Sequence, residues 1–302
     1  MLLHLRSWIY AARPKTLCIG LMPILLGSFL AMKLSLLHMP TLFLCILGAL
    51  TIQIGTNYCN DYFDYINCAD TSCRQGNKKV IEQGLISADA MKKAFIASFL
   101  LAAIVACFLV QRGGFSILII ACICILFSIA YTAPPFPLAY LGLGDVFVLI
   151  FYGPIATMTC FYLHTHQLDW HHLIVGCMPG VLGLGPLIMN NLRDVDQDRA
   201  ANKKTLIVRL GESFGQRYFL CTVALGICLP YIQSIIFDKN PFVICTSFAF
   251  IPLLKNLPLL FSVRDKHKMH QLFIVSAKTV PLFTLCYALS ELLFYVSKAF
   301  FT

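Results

Sequence analysis

Charge is what this sequence has least of. Only 12% of its 302 residues are Asp, Glu, Lys or Arg, and only fourteen are acidic. Soluble domains carry about 25% charged residues, so an ordinary soluble fold is excluded. The fourteen cysteines include no C-x-x-C pair, which argues against a zinc or redox motif. Most of them sit in apolar blocks, as Cys122 and Cys124 do in ACICIL, and read as reduced thiols acting as small hydrophobes. The first sixteen residues, MLLHLRSWIYAARPKT, have little apolar core and no small-residue cleavage site before Arg13 and Lys15. They do not read as a signal peptide. They read as an interfacial segment, with Trp8 and Tyr10 at headgroup level and Arg6, Arg13 and Lys15 on the polar side.

What the sequence has in abundance is apolar length. It is 59% hydrophobic with mean hydropathy +0.78, and the apolar residues come in long blocks. A spanning helix needs roughly 20 apolar residues and satisfies its own backbone hydrogen bonds in lipid. Nine spans follow, at about 16–33, 41–60, 94–111, 115–131, 145–163, 173–192, 219–237, 241–262 and 271–296. The eighth is the weakest, broken by Pro252, Lys255 and Pro258. The expected fold is therefore all-α: one domain over residues 1–302, a polytopic membrane protein with about nine transmembrane helices around a central cavity.

Eighteen Lys and Arg fall on the side of the N-terminus and four on the other, with Lys278 inside the last span. By the positive-inside rule this puts the N-terminus and the 2–3 and 6–7 connections in the cytoplasm, and the C-terminus outside. The net charge of +9 is thus a topology signal and not a nucleic-acid signal. The acids share those two connections: five lie between Asp61 and Asp89, and four between Asp194 and Glu212.

The first acidic cluster is NYCNDYFDYINCAD, from Asn57 to Asp70. If span 2 continues helically, Asn57, Asp61 and Asp64 share one face at i, i+4 and i+7, with Asn60 at its edge. Asp70 falls beyond the helix, where a loop cap is an open alternative. The second cluster is MNNLRDVDQDRAANKKTL, from Met189. On an uninterrupted helix Asn190, Asp194 and Asp198 would again share a face, and Asp196 would not. The repetition in spans 2 and 6 hints at an internal duplication.

Stacked carboxylates near lipid repel one another and are costly to bury. A divalent cation relieves both problems, and an all-oxygen donor set without His or Cys favours Mg²⁺. Mg²⁺ commonly bridges carboxylates to substrate phosphates. Two clusters on one membrane side suit a diphosphate held between two ions, with Arg74, Lys78, Lys79, Arg193, Lys203 and Lys204 as candidates for its remaining oxygens. The bland alternatives are solvated loops with self-paired charges, or a cation pathway. The acids sit at span ends and not at mid-membrane, which argues against transport. HTHQLDWHH gathers His164, His166, His171 and His172, but the charge count puts that loop across the membrane from the acids.

These motifs resemble those of the UbiA superfamily of intramembrane prenyltransferases. NYCNDYFDYINCAD resembles its first aspartate motif. NNLRDVDQDRAANKKTLIVRLG resembles the second, in the form found in 1,4-dihydroxy-2-naphthoate polyprenyltransferases. YTAPPFPLAYLGLGD resembles the segment between spans 4 and 5, and KKVIEQGLISADAM the stretch after the first motif. Asn202 stands where that group usually has Gly, Asn67-Cys68 where a Gly is common, and TAPPFP replaces a Gly-richer version; no aspartate is missing.

The resemblance implies that Asp61, Asp64, Asp194 and Asp198 bind two Mg²⁺ ions and are catalytic. Asn57, Asn60, Arg74, Lys78, Asn190, Arg193 and Lys203 would contact the diphosphate of a polyprenyl donor. Asp70, Tyr131 and Tyr140 would serve the acceptor or line the chamber, interfacial anchoring being the other reading of the two tyrosines. Diphosphate would depart to leave an allylic cation in a dry cavity, and an aromatic naphthoate would attack through carbon with loss of CO₂. The alternatives are prenylation of 4-hydroxybenzoate or another aromatic, and, outside enzymes of this kind, a cation-coupled transporter. The lipid bilayer is the one macroscopic partner; nucleic acid is not. A lipid phosphotransferase is disfavoured because its compact D-G/A-R signature within one segment is missing.

Overall fold

The computed structural model describes residues 2–66 and 80–301. The described residues are helical in succession: α1 (Leu2–Ala12), α2 (Pro14–Lys33), α3 (Met39–Ile66), α4 (Ala88–Gly113) and α5 (Phe115–Ala130). Next come α6 (Gly144–Thr165), α7 (Trp170–Arg193), α8 (Val195–Ala200), α9 (Leu206–Leu210), α10 (Glu212–Asp238), α11 (Pro241–Phe261) and α12 (Lys266–Phe301). Eight of these are long and apolar enough to cross a membrane, and α5, at 16 residues, is a shorter apolar helix. The all-α polytopic reading holds, and each of the nine expected spans falls on one of these helices. The eighth, α11, is wound as 3₁₀ helix over Pro241–Phe250 and Leu257–Phe261, with only Ile251–Asn256 α-helical. Pro252 and Pro258 each remove a backbone donor there.

The chain forms two compact units. The first comprises the segment up to Leu21, His38–Gly144 and Asp196–Val208; the second comprises Met22–Leu37, Asp145–Val195 and the chain from Arg209 onward. In the first, α3 packs along α4, and Gly55 makes the approach possible: a Cβ there would stand 2.8 Å from the Phe99 ring. Beneath the first acidic cluster lies a core of Tyr58, Cys59, Val80, Ile81, Met91, Phe95 and Phe99, closed by Ala11 and Ala12 of α1.

In the second unit α7 is the most enclosed of the spanning helices. It carries Gly176 and Gly180 four residues apart, the small-residue spacing that lets membrane helices approach closely. They face α6 where Pro154 opens one turn into a π-helix and Gly153 leaves helical geometry at φ −105°, ψ −114°. A Cβ on Gly180 would overlap the Leu149 carbonyl oxygen and lie 2.9 Å from the Gly153 Cα. At the other edge of this unit Lys33 of α2 pairs with Glu291 of α12, which is 2% exposed. Asn240 Nδ2 donates to Glu291 Oε1 at 2.9 Å and to Ser290 Oγ at 3.1 Å. The start of α12 is capped by Asp265, whose Oδ1 accepts the backbone N–H groups of His267 and Lys268 at 3.1 Å. The Lys268 backbone bond is foremost in holding its pKa below the usual carboxylate value.

The described cysteines are all free thiols. In the histidine-rich stretch, His164 is buried and bonded to Ser28 Oγ at 3.1 Å.

Candidate active site

The helix that carries the first cluster runs unbroken to Ile66, so Asn57, Asp61 and Asp64 do lie on one face. α3 thereby delivers Asp61 to a buried position, 3% exposed, and Asp64 to a half-buried one. Two carboxylates three residues apart repel unless each has a donor. Asp61 Oδ1 takes Arg13 Nη2 at 2.5 Å, and Asp64 Oδ1 accepts the Tyr140 hydroxyl at 2.7 Å.

The two asparagines of this motif act on the surrounding backbone and side chains. Asn57, 2% exposed, donates through Nδ2 to the Ala12 carbonyl at 2.8 Å and to Thr16 Oγ1 at 3.2 Å. Asn60 Oδ1 accepts from the Thr132 hydroxyl. Asn57 thus holds the α1–α2 junction, and Asn60 holds the segment after α5.

That segment folds back on its own helix, with Leu138 N–H on Ala130 O at 3.0 Å and Ala139 N–H on Tyr131 O at 2.9 Å. The fold-back separates its two tyrosines. Tyr140 reaches Asp64. Tyr131 packs on Gly144, where a Cβ would stand 3.0 Å from its hydroxyl oxygen. The Tyr140 carbonyl also accepts Lys204 N–H at 2.9 Å, and Lys203 Nζ stands 6.0 Å from the Tyr140 ring centroid. Lys203 pairs with Asp198 at 3.3 Å, and its backbone N–H bonds the Asp198 carbonyl at 2.8 Å. Within the first unit, then, Tyr140 touches both the first motif and the tail of the second.

Asn202 turns the chain between Asp198 and Lys203 with φ +54°. Left-handed backbone favours glycine and, after it, asparagine. The residue that departs from the usual Gly is therefore the substitute that this turn tolerates best.

The second cluster does not keep one helical face. α7 ends at Arg193; Asp194 is its C-cap at φ −102°, ψ 12°, and α8 begins afresh at Val195. The i, i+4, i+8 phase of Asn190, Asp194 and Asp198 is broken at its middle member. Around the break the Arg193 fork turns on its own neighbours. Nε and Nη2 donate to the two Asp194 oxygens at 2.8 and 2.6 Å, and Nη2 donates also to Asn190 Oδ1 at 2.6 Å. Nη1 donates to His270 Nδ1 of α12 at 3.2 Å. Asp70, Arg74, Lys78 and Lys79 lie outside the described residues.

Two participants were missed from sequence. Arg13 counts there only as an interfacial base, since its partner is 48 residues away. His270 sits in a basic helix start, and no spacing ties it to Arg193.

Among the described residues no group of three or more His, Cys, Asp or Glu side chains is gathered as a metal cluster. The donor chemistry nevertheless fits a hard divalent ion. The motif supplies only carboxylate and amide oxygens, and its most buried carboxylate already faces a cation, Arg13.

The UbiA prenyltransferase family model matches residues 20–288. A 1,4-dihydroxy-2-naphthoate octaprenyltransferase of Haemophilus influenzae is 34% identical over 71% of this chain and 72% of its own length. The Escherichia coli enzyme of the same name is 34% identical over 72% of each. The structure of a UbiA homolog from Archaeoglobus fulgidus bound to DMAPP and Mg²⁺ aligns over 93% of this chain and 99% of that one, with TM-score 0.60 and 15% identity. That last likeness is one of fold.

Proposed function

The chain belongs to the UbiA prenyltransferase family, and we propose that it transfers a polyprenyl group from polyprenyl diphosphate to 1,4-dihydroxy-2-naphthoate at the site built on α3. The observation that carries this is the pair of aspartate motifs on a chain that matches naphthoate prenyltransferases over more than two thirds of both lengths. The bound molecules of the A. fulgidus homolog support a prenyl diphosphate donor and Mg²⁺. Asp61, Asp64, Asp194 and Asp198 would hold two Mg²⁺ ions, which when bound supply Lewis-acid neutralisation of the diphosphate charge.

The protein's own groups do the rest. Asn190, Arg193, Lys203, Arg74 and Lys78 bind the diphosphate oxygens and stabilise its departure. Asn57 and Asn60 fix the helix end that presents the aspartates. Tyr140 orients Asp64 and, with Tyr131 and Asp70, bounds the acceptor side. The apolar helices exclude water from the allylic cation while the naphthoate ring forms the new carbon–carbon bond, and CO₂ leaves on rearomatisation. The protein is a multi-pass membrane protein, and the eighteen-to-four bias of Lys and Arg supports a cytoplasmic N-terminus and active site with the C-terminus outside.

The test is an acceptor panel with labelled polyprenyl diphosphate, with and without Mg²⁺. Prenylated product should form with 1,4-dihydroxy-2-naphthoate and only with the metal. Preference for 4-hydroxybenzoate would reassign the acceptor, and no product with any aromatic would refute the activity.

A further inference from the structure

Asp61 is bound by a residue under backbone strain. Arg13 adopts φ +53° directly before Pro14, a conformation that L side chains and pre-proline positions both disfavour. Such a residue persists only where its surroundings over-determine it, and strain of this kind gathers at functional sites. Bonds to its backbone, its neighbours and its side chain hold it in place. The Arg13 carbonyl accepts Thr16 N–H and the Thr16 hydroxyl, each at 2.9 Å, and Leu17 N–H at 3.2 Å. Asn57 grips the residues on either side, at Ala12 O and Thr16 Oγ1. The guanidinium then reaches Asp61. So the hinge between α1 and α2 is tied at both ends to the first aspartate motif. The two sides of the ion pair differ in exposure: the Asp61 side chain is 4% exposed and that of Arg13 is 37% exposed. The carboxylate is the fixed member and the guanidinium the one with room to leave.

We propose that Arg13 is a stand-in cation, occupying Asp61 in the metal-free protein and yielding it when Mg²⁺ loads, so that metal occupancy is transmitted to α1. This rests on the reading of Asp61 as a metal ligand. A Mg²⁺ ion bonds carboxylate oxygen at about 2.0–2.1 Å and demands near-octahedral geometry. A guanidinium held 2.5 Å from the same oxygen would be a neighbouring positive charge in a poorly screened position. A metal ion on this carboxylate would draw off the negative charge that holds the guanidinium, so the two cations compete for Asp61. Exchange costs the site one charge-assisted hydrogen bond and returns a metal bond, while the strained hinge loses the contact that aims it. α1 must register the change, because Trp8 lies on the same motif. Its carbonyl accepts the Tyr58 hydroxyl at 3.2 Å, and the two rings meet edge to face at 5.4 Å.

The chain has only two tryptophans, Trp8 and the exposed Trp170, so Trp170→Phe leaves a single emitter on α1. The full-length protein, purified in detergent, is titrated with Mn²⁺ followed by electron paramagnetic resonance, and in parallel with Mg²⁺ followed by Trp8 fluorescence. Saturable binding should shift Trp8 emission with a matching midpoint. Arg13→Gln should tighten metal binding by about tenfold, the factor set by one charge-assisted hydrogen bond no longer in competition, and should abolish the Trp8 response. It should also lower the melting temperature in EDTA and recover it in saturating Mg²⁺. Arg13→Lys keeps the charge without the fork and should fall between, which preserves the test should the glutamine variant fail to fold. Normal metal binding with an unchanged midpoint in both Arg13 variants, and equal stability losses with and without metal, would overturn this role and leave the metal reading standing. Absence of saturable binding in the unsubstituted protein, with Asp61→Asn behaving alike, would overturn the metal reading itself and this role with it.

Discussion

Replacing Tyr140 with phenylalanine isolates one atom of the candidate site. The ring stays, and with it the platform under Lys203 Nζ at 6.0 Å. The Tyr140 carbonyl still accepts Lys204 N–H, and the segment still folds back through Ala139 on Tyr131. What goes is the 2.7 Å hydrogen bond to Asp64 Oδ1. A hydrogen bond to a charged group is worth about 1.5–3 kcal/mol. If the bond sets the orientation of a reacting-centre ligand, that energy converts to a loss of about 10- to 150-fold in kcat/KM. The same range follows independently from the about 10- to 100-fold cost of removing a hydrogen-bond partner from a metal ligand. The assay is transfer of labelled polyprenyl diphosphate to 1,4-dihydroxy-2-naphthoate by purified protein over a Mg²⁺ titration, beside thermal unfolding. Tyr140→Phe should need more Mg²⁺ for half-maximal rate and should melt within a few degrees of the unsubstituted protein. Activity within twofold at all Mg²⁺ concentrations would refute the positioning role. A large drop in melting temperature would refute the argument that the hydroxyl acts locally.

Two further substitutions test the packing that carries the site. Gly180→Ala drives a methyl into the Leu149 carbonyl, and backbone on both sides cannot give way. Overpacking typically costs about 1–3 kcal/mol, and this rigid case should reach about 3 kcal/mol, read as poor recovery of folded protein and a lowered melting temperature. Gly183→Ala, whose Cβ would meet only the Val148 Cγ1 at 3.3 Å, should be far milder. Glu291→Gln leaves Lys33 without its buried partner. Breaking such a pair costs about 3–5 kcal/mol, and with the Lys33 side chain 30% exposed the lower end applies. Adding Lys33→Met to Glu291→Gln should recover part of the loss in thermal unfolding, since the uncompensated charge is then gone.

Much of this was legible because membranes write in long apolar words. Span positions followed from length alone, and the shared face of Asn57, Asp61 and Asp64 followed from letting span 2 run on helically through a stretch with no Gly or Pro after Gly55. The end of α7 was not legible. Nothing in NNLRDVDQD is a helix breaker, and the interruption at Asp194 coincides with tertiary and near-neighbour bonds of Arg193 to Asp194, Asn190 and His270. Helical periodicity extrapolates a face through such a point; side-chain chemistry stops it. Arg13 was hidden for a related reason. Topology counting gives every base near a span end the same meaning, whereas its partner is set by the packing of α1 on α3, which periodicity does not report.

One regularity ties the two motifs together without reference to how they are disposed. Each of the four aspartates proposed as metal ligands is paired, within its own unit, to a donor: Asp61 to Arg13, Asp64 to Tyr140, Asp194 to Arg193 and Asp198 to Lys203. Three of the four donors are cations. On the proposed reading, a free metal ion arriving alone exchanges one positive partner for another and gains only the difference between them. A metal ion arriving with diphosphate gains more, because the displaced guanidinium and ammonium groups acquire phosphate oxygens in place of the carboxylates they give up. The three cationic pairings would therefore favour the metal–diphosphate complex over either component. Metal affinity should rise when inorganic diphosphate is present, and that rise should shrink as Arg13, Arg193 or Lys203 is replaced by a neutral residue.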